Sequence, residues 1–342
     1  MLDADDRVAV LAHEKFPERA KTAVGILRYA DYEVAAVLDR TNPGERVTEH
    51  VPDLPDAPIV ASMADAPAVD ALVVGIAPIG GGFDESWRPD VRTAMERGCD
   101  VAAGLHYFLA EDGEFAALAA DHGVDIWDVR RPPDDITVSE GVAADVDAEV
   151  VLTVGTDCST GKMTTAKELV LAAREAGIDA AMVPTGQTGI MIEGWGTPID
   201  RVVSDFTAGA VEDIVLRGAA DHDVLVVEGQ GSITHPAYSA VTCGILHGAM
   251  PDRLVLCHAA GREAVHGYES FPLLEPEGYV DRYESLAAPV HETEVVAGAL
   301  NTSSLADDAA AREALDTYAE AVGAPATDPV RFDAAEVLSA VC

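Results

Sequence analysis

Eight consecutive residues carry the chemistry most legible in this chain: Gly155, Thr156, Asp157, Cys158, Ser159, Thr160, Gly161 and Lys162. Two glycines bound a polar loop and a lysine follows. That is the composition of a phosphate cradle, in which backbone N–H groups face the anion and the lysine adds a point charge. The usual spacing is G-x4-G-K-[ST], and here it is altered. Five residues separate Gly155 from Gly161, and Met163 stands where a hydroxyl would ligate magnesium. Thr164 and Thr165 come about 100° and 200° further round a helix. A phosphate-binding loop tolerates this change; a magnesium-dependent hydrolase tolerates it less well.

A second group of polar residues follows a fully apolar run, Val224 to Val227, in the order Glu228-Gly229-Gln230-Gly231-Ser232. An acid at the tip of such a strand, beside a phosphate loop, polarises magnesium in phosphate-loop enzymes. Without the metal it can orient an amine or act as general base. His235 and Tyr238 follow closely enough to reach the same mouth. Gln187 lies in TGQTGIMIEGWG, which reads as a glycine-rich loop, and Asn301 opens Asn301-Thr302-Ser303, a place where phosphate-loop proteins hold a purine. Cys158 would sit near a helix N-terminus, which favours a thiolate.

The elements that must position these groups follow from periodicity. Val151 to Val154 is a β-branched run; after the loop, Ala166, Leu169, Val170 and Ala173 fall at helical spacing, with Gly177 as C-terminal cap. Before residue 132, short apolar strands alternate with helical segments, which predicts an α/β, Rossmann-like, doubly wound parallel sheet. The expected organisation is therefore a Rossmann-like domain over 1–132, a proline-rich acidic linker over 133–148, and a phosphate-loop α/β domain over 149–342. No G-x-G-x-x-G fingerprint follows the first strand, so Asp39 at the end of the second is a poor nicotinamide-ribose ligand. Ligands in such sheets gather at the carboxyl ends of the strands. The polar groups expected there are His13, Lys21, Thr22, Arg28 and Tyr29, the triplet Gly80-Gly81-Gly82, His106, and the pair Arg130-Arg131.

Composition bounds the partners. The 342 residues carry 60 acidic and 22 basic side chains, a net charge of −38, with only four lysines. Acid spread along the whole chain predicts a salt-adapted, halophilic surface and disfavours nucleic acid, whose phosphates would be repelled. In such a chain Lys162 is an informative residue. The five cysteines show no C-x-x-C pair, which predicts neither a disulfide framework nor a metal site and suits a reducing cytoplasm. No run of 18 apolar residues predicts a membrane span.

Two resemblances rest on these motifs. GTDCSTGK and VVEGQGS are locally similar to the loop and V-E-G-x-G segment of dethiobiotin synthetases, which would imply an ATP- and magnesium-dependent ligase or kinase; a non-catalytic nucleotide-binding protein is a third reading. A longer resemblance covers nearly the whole chain. AKTAVGILRY, GTDCSTGKMTT, TGQTG, EGQGSITHPAYSAVTCGILHG and ALNTS occur in the order found in the DgcN-type D-glutamate N-acetyltransferase family. That family pairs a Rossmann-like domain with a phosphate-loop domain and was formerly a domain of unknown function.

The resemblance implies acetyl transfer from acetyl-CoA to the amine of D-glutamate or a related amino acid, in D-amino acid catabolism, with a partner dehydrogenase oxidising the product. A cytoplasmic homo-oligomer is expected. The phosphates of acetyl-CoA would use Gly155 to Thr164 with Gln187, Gln230, Ser232 and Asn301. Glu228 and His235 are candidates for the base, with loop amides near Cys158 as oxyanion donors. Cys158 is an alternative acyl acceptor, ranked behind direct transfer. A dicarboxylate needs cations, and Lys21, Arg28, Arg130 and Arg131 are the supply, with Gly81 and Tyr238 as further substrate contacts.

Overall fold

The protein is described by a computed structural model over residues 2–78 and 80–342. The chain divides into two units, one of Met1–Pro132 with Gln187–Pro198 and one of Pro133–Gly186 with Ile199–Cys342.

The first unit alternates strands and helices: β1 (Arg7–Leu11), α1 (Lys21–Tyr29), β2 (Glu33–Leu38), α2 (Val47–His50), β3 (Ile59–Val60), β4 (Ala71–Val74), α3 (Arg88–Glu96), β5 (Asp100–Ala103), α4 (Gly113–His122) and β6 (Ile126–Asp128). Its strands pair in parallel in the order β3-β2-β1-β4-β5-β6. Val8 to Leu11 and Ala71 to Val74 are buried along their whole length, as expected where helices cover both faces of a parallel sheet.

The second unit begins with β7 (Glu149–Gly155), α5 (Lys162–Glu175) and β8 (Ala180–Val183). The chain then lends α6 (Gln187–Glu193) to the first unit. It continues with α7 (Thr207–Ala219), β9 (Val224–Val227), α8 (Ser239–Ala249), β10 (Arg253–Ala259), the hairpin β11 (Ala264–Val265) and β12 (Tyr268–Pro272), α9 (Pro276–Ala287), β13 (Glu294–Asn301), α10 (Asp308–Val322), β14 (Ala326–Thr327) and α11 (Ala335–Val341). The main sheet is parallel in the order β14-β13-β10-β7-β9-β8. Because β7 has β10 on one side and β9 on the other, the loop after it lies where the strand order reverses. That is the ligand crevice of an open α/β sheet.

Three segments depart from the expectation. TGQTGIMIEGWG, expected as a loop, contains α6, because Ile190, Met191 and Ile192 form an apolar face that is buried in the first unit. There Thr188 shares a hydroxyl hydrogen bond with Thr22 (2.9 Å), and the Tyr32 hydroxyl donates to Met191 O (3.2 Å). The 133–148 stretch is gathered onto α7, whose Glu212 carboxylate accepts from Ser139 Oγ (2.9 Å), Glu140 N (2.6 Å) and Val142 N (2.8 Å). The hairpin β11–β12 has no counterpart in the sequence reading. Among the described residues no helix is long and apolar enough to cross a membrane.

Candidate phosphate-binding site

Strand β7 delivers the loop rigidly, because even its one polar side chain is used inside the sheet: Thr153 Oγ1 donates to Val227 O (3.3 Å) and accepts from Gly229 N (3.0 Å). At Gly155 a Cβ would lie 2.8 Å from Lys162 Nζ and 2.9 Å from Thr160 Oγ1, so the loop folds back only over a glycine. Gly161, at φ 103°, turns the chain into α5. Among the described residues the N-cap Gly161 makes no side-chain cap hydrogen bond, so the helix N-terminus faces the loop as a site for an anion.

The loop is tied down from several sides. Asp157 is fully buried; its carboxylate accepts from Cys158 N (2.7 Å), from His266 N at the turn of the β11–β12 hairpin (2.8 Å), and from Arg262 (3.0 Å). Arg262 also donates to Cys158 O (2.6 Å) and Ser159 O (3.4 Å). The Asp157 side chain is therefore a fastening rather than a cofactor contact. Lys162 Nζ donates to Asp157 O (2.7 Å), and the buried Tyr283 hydroxyl donates to Gly155 O (2.7 Å). Thr160 Oγ1 donates to Asp157 O (3.2 Å), and Thr156 Oγ1 pairs with His258 Nδ1 (2.7 Å). Burial pushes His258 down to about 4, with Arg262 adding to the shift and Asp157 opposing it.

Met163 stands in the first turn of α5. Its partly buried side chain packs against the cluster of Val151, Ala166, Leu169 and Val170 below the loop. Thr164 is half-buried in the same first turn.

Glu228 sits at the tip of β9 and faces the end of β8: its carboxylate accepts from Thr185 N (3.2 Å) and Gly186 N (3.0 Å). Gln230 Nε2 donates to Thr185 O (2.6 Å), so Gln230 braces the same pair of strand ends. Ser232 is fully buried, 3.4 Å from Thr234 Oγ1. His235 is 1% exposed, and Tyr238 and Tyr268 pack on its ring at 4.7 and 5.3 Å between centroids.

An Asp157 oxygen, the Cys158 sulfur and a His235 nitrogen lie within 4.8 Å of one another, a donor set that zinc can use. The hydrogen bonds argue against a resident cation. His235 Nδ1 accepts from Ala237 N (3.1 Å), so the neutral ring carries its proton on Nε2, the atom 3.9 Å from an Asp157 oxygen. That nitrogen is a donor, not a lone pair, and Asp157 is already paired with Arg262. Burial, chiefly, holds His235 below its ordinary range against the pull of Asp157, while Lys162 and His266 lower it further. In this arrangement His235 presents an N–H on Nε2 toward Asp157, while its Nδ1 lone pair is taken by Ala237 N.

On the other side of the loop, Gly261, Arg262, Asn301, Ser303 and Ser304 line a recess of about 320 Å³ at the ends of β10 and β13. Asn301 Oδ1 accepts from Ser303 N (3.0 Å), and Asp328 accepts from Thr302 N (2.8 Å) and Thr302 Oγ1 (2.6 Å), which fixes this turn.

The cations expected in the first unit are placed differently from one another. Lys21 opens α1, but Arg28 is in its last turn, about 10 Å further along the axis and at the opposite edge of the sheet. Arg131 pairs with Glu111 (2.9 Å) over the Phe108 ring. Arg130 is buried, donating to Gly104 O (2.7 Å) and to Gln187 Oε1 (2.7 Å). Gln187, expected on the cofactor, therefore belongs to a network of the first unit. Gly81 gives close approach to a side chain rather than to a ligand, since a Cβ there would lie 2.2 Å from the His106 ring. Arg262, His258, His266 and Tyr283 were not singled out by the sequence reading; the scarcity of cations in an acidic chain is the one signal that would have flagged Arg262.

Comparison with known proteins follows the same division. A domain of unknown function described as a DUF1611_C P-loop domain matches residues 137–338, and a DUF1611_N Rossmann-like domain matches 40–132. A protein of Pseudoalteromonas sp named D-glutamate N-acetyltransferase is 36% identical over 275 residues, 79% of this chain and 81% of its own. One of the same name from Tritonibacter scottomollicae is 36% identical over 279 residues, 81% of this chain and 83% of its own. The crystal structure of a DUF1611 family protein from Anabaena variabilis superposes with a TM-score of 0.94 at 39% identity, covering 98% of this chain and 99% of that one.

Proposed function

The chain belongs to the DUF1611 family, and from that premise we propose that it transfers the acetyl group of acetyl-CoA to the amine of D-glutamate. The observation that carries the reading is the pair of relatives named D-glutamate N-acetyltransferase, which match about four-fifths of the chain at 36% identity. The loop geometry supports it. The usual magnesium-hydroxyl position is occupied by Met163, whose partly buried side chain packs against the core, and Glu228 is turned toward Thr185 and Gly186. A cradle of this kind suits a diphosphate that is held and not cleaved.

The proposed roles follow from the reach of the coenzyme. The pantetheine arm of the coenzyme spans about 15 Å when extended, at ordinary bond lengths. Neighbouring strands lie about 5 Å apart. With the adenosine end in the recess at β10 and β13 and the diphosphate on the loop after β7, the arm crosses β9 toward the tip of β8. The thioester then arrives near Glu228, while Cys158 and His235 adjoin the phosphates. In this reading His235 donates its Nε2–H to phosphate, and Glu228 takes the proton of the acceptor ammonium. The neutral amine attacks the thioester carbonyl, the C–S bond breaks, and the coenzyme leaves as a thiolate that gains a proton. Direct transfer needs no acyl-cysteine, and Cys158 becomes part of the cradle.

The test is thiol release from acetyl-CoA with D-glutamate, with L-glutamate and with no acceptor, at molar potassium chloride. Release that depends on D-glutamate is the expected result. Absence of release with any amine removes the proposal, and magnesium-dependent formation of ADP would replace it by the ligase reading.

A further inference from the structure

The recess at the ends of β10 and β13 has a property unusual for this chain: none of the residues lining it is acidic, although acidic side chains outnumber basic ones 60 to 22. It is lined instead by one guanidinium, one carboxamide and two hydroxyls, those of Arg262, Asn301, Ser303 and Ser304. An anionic ligand approaching a chain of net charge −38 is repelled by the average surface and finds a local exception here.

Arg262 is only partly committed. One terminal nitrogen binds Asp157 and Cys158 O, the other reaches Ser159 O at 3.4 Å, and its Nε–H has no partner among the described residues. Its side chain retains 23% exposure. The Ser303 hydroxyl likewise has no protein partner among the described residues, while its backbone is fixed by Asn301. A guanidinium edge and a free hydroxyl, both on anchored backbone, make a receptor for a phosphomonoester. The recess directly follows the diphosphate cradle, because Arg262 touches the loop itself.

We infer that this recess binds the 3′-phosphate on the adenosine ribose of the coenzyme, through Arg262 and Ser303, and so selects a 3′-phosphorylated donor over a plain ADP-type one. The inference rests on the acyl-donor reading above and adds to it the element that distinguishes coenzyme A from other adenine nucleotides.

The experiment compares acetyl-CoA with 3′-dephospho-acetyl-CoA as donors in the thiol-release assay, for the wild-type chain and for Ser303→Asp. This substitution places a carboxylate in the recess without touching the Asp157–Arg262 pair. Wild type is expected to show a KM for the dephospho donor at least about tenfold above that for acetyl-CoA, the scale of one charge-assisted contact. In Ser303→Asp that ratio is expected to fall toward one, because the KM for acetyl-CoA rises more than that for the dephospho donor. Equal KM values for the two donors in wild type, or an equal rise for both in the variant, overturns the subsite and leaves the acyl-donor reading standing. No thiol release from either donor removes that reading and the subsite with it.

Discussion

His258 offers a quantitative test of how the loop is held. It follows the apolar core of β10, stacks on Tyr318 with ring centroids 5.7 Å apart, and pairs through Nδ1 with Thr156 at the start of the loop. Burial, aided by Arg262, takes its pKa from 6.5 to about 4. A depressed folded-state value means that the unfolded chain binds the proton first. The contribution to stability is therefore fully present above the unfolded value near 6.5 and is lost as pH falls toward 4. For one such group the loss is about 2 kcal/mol between about pH 7 and pH 5. Urea unfolding of wild type and His258→Gln across that interval, at fixed molar salt, isolates the effect. The many carboxylates titrate alike in both proteins and cancel in the difference. Wild type is expected to lose about 2 kcal/mol more than the variant over the interval. Parallel loss in the two proteins would refute the argument that burial keeps this ring neutral.

Three further outcomes follow from the geometry. Glu212→Ala strips three hydrogen bonds from residues 139–142 and should cost about 3 kcal/mol in urea unfolding at neutral pH. Since the Glu212 carboxyl is held below its ordinary range, through hydrogen bonds that outweigh its burial, the gap between wild type and variant should narrow as pH falls through the carboxylate range. Gly229→Ala would bring a Cβ within 1.7 Å of Thr153 O, so it should abolish soluble expression or destabilise by more than about 3 kcal/mol. Finally, His235→Gln keeps an N–H donor and should retain most activity with a raised KM for the donor, whereas His235→Phe should lose about tenfold or more in kcat/KM; a pH profile that loses its acid limb in His235→Gln would instead make this ring a base.

How much of this was legible in the sequence depends on the range of the interaction. The two parallel sheets were, because strands such as Val8–Leu11 and Val224–Val227 announce themselves by short buried runs between helical periods. The loop was, because its glycines, its lysine and the helix behind it are contiguous. What holds the loop was not: Arg262 and His266 meet Asp157 from 105 and 109 residues away, and Tyr283 reaches Gly155 from 128. Composition misled at α6, where four glycines in TGQTGIMIEGWG outweighed the buried Ile190, Met191 and Ile192. A residue list also cannot show direction. Arg28 was counted among mouth residues because it lies near Lys21 in the chain, yet two turns of helix carry it to the other edge of the sheet.

The direction of side chains also separates the roles of the two acids that sequence placed side by side at the mouth. Asp157 and Glu228 both belong to strand-end motifs, and both are buried. Asp157 spends its carboxylate on Arg262, Cys158 N and His266 N, so its charge is matched within the loop and is closed to an incoming amine. Glu228 is set by the backbone of Thr185 and Gly186 on the far side of β9, one strand further from the diphosphate. Under the acetyl-transfer proposal, the base that meets the acceptor ammonium is therefore Glu228 and not Asp157. Under that proposal, the altered spacing of the loop and the partly buried Met163 in the place of a metal-binding hydroxyl suit phosphates that serve as a handle while Glu228 serves the acyl chemistry.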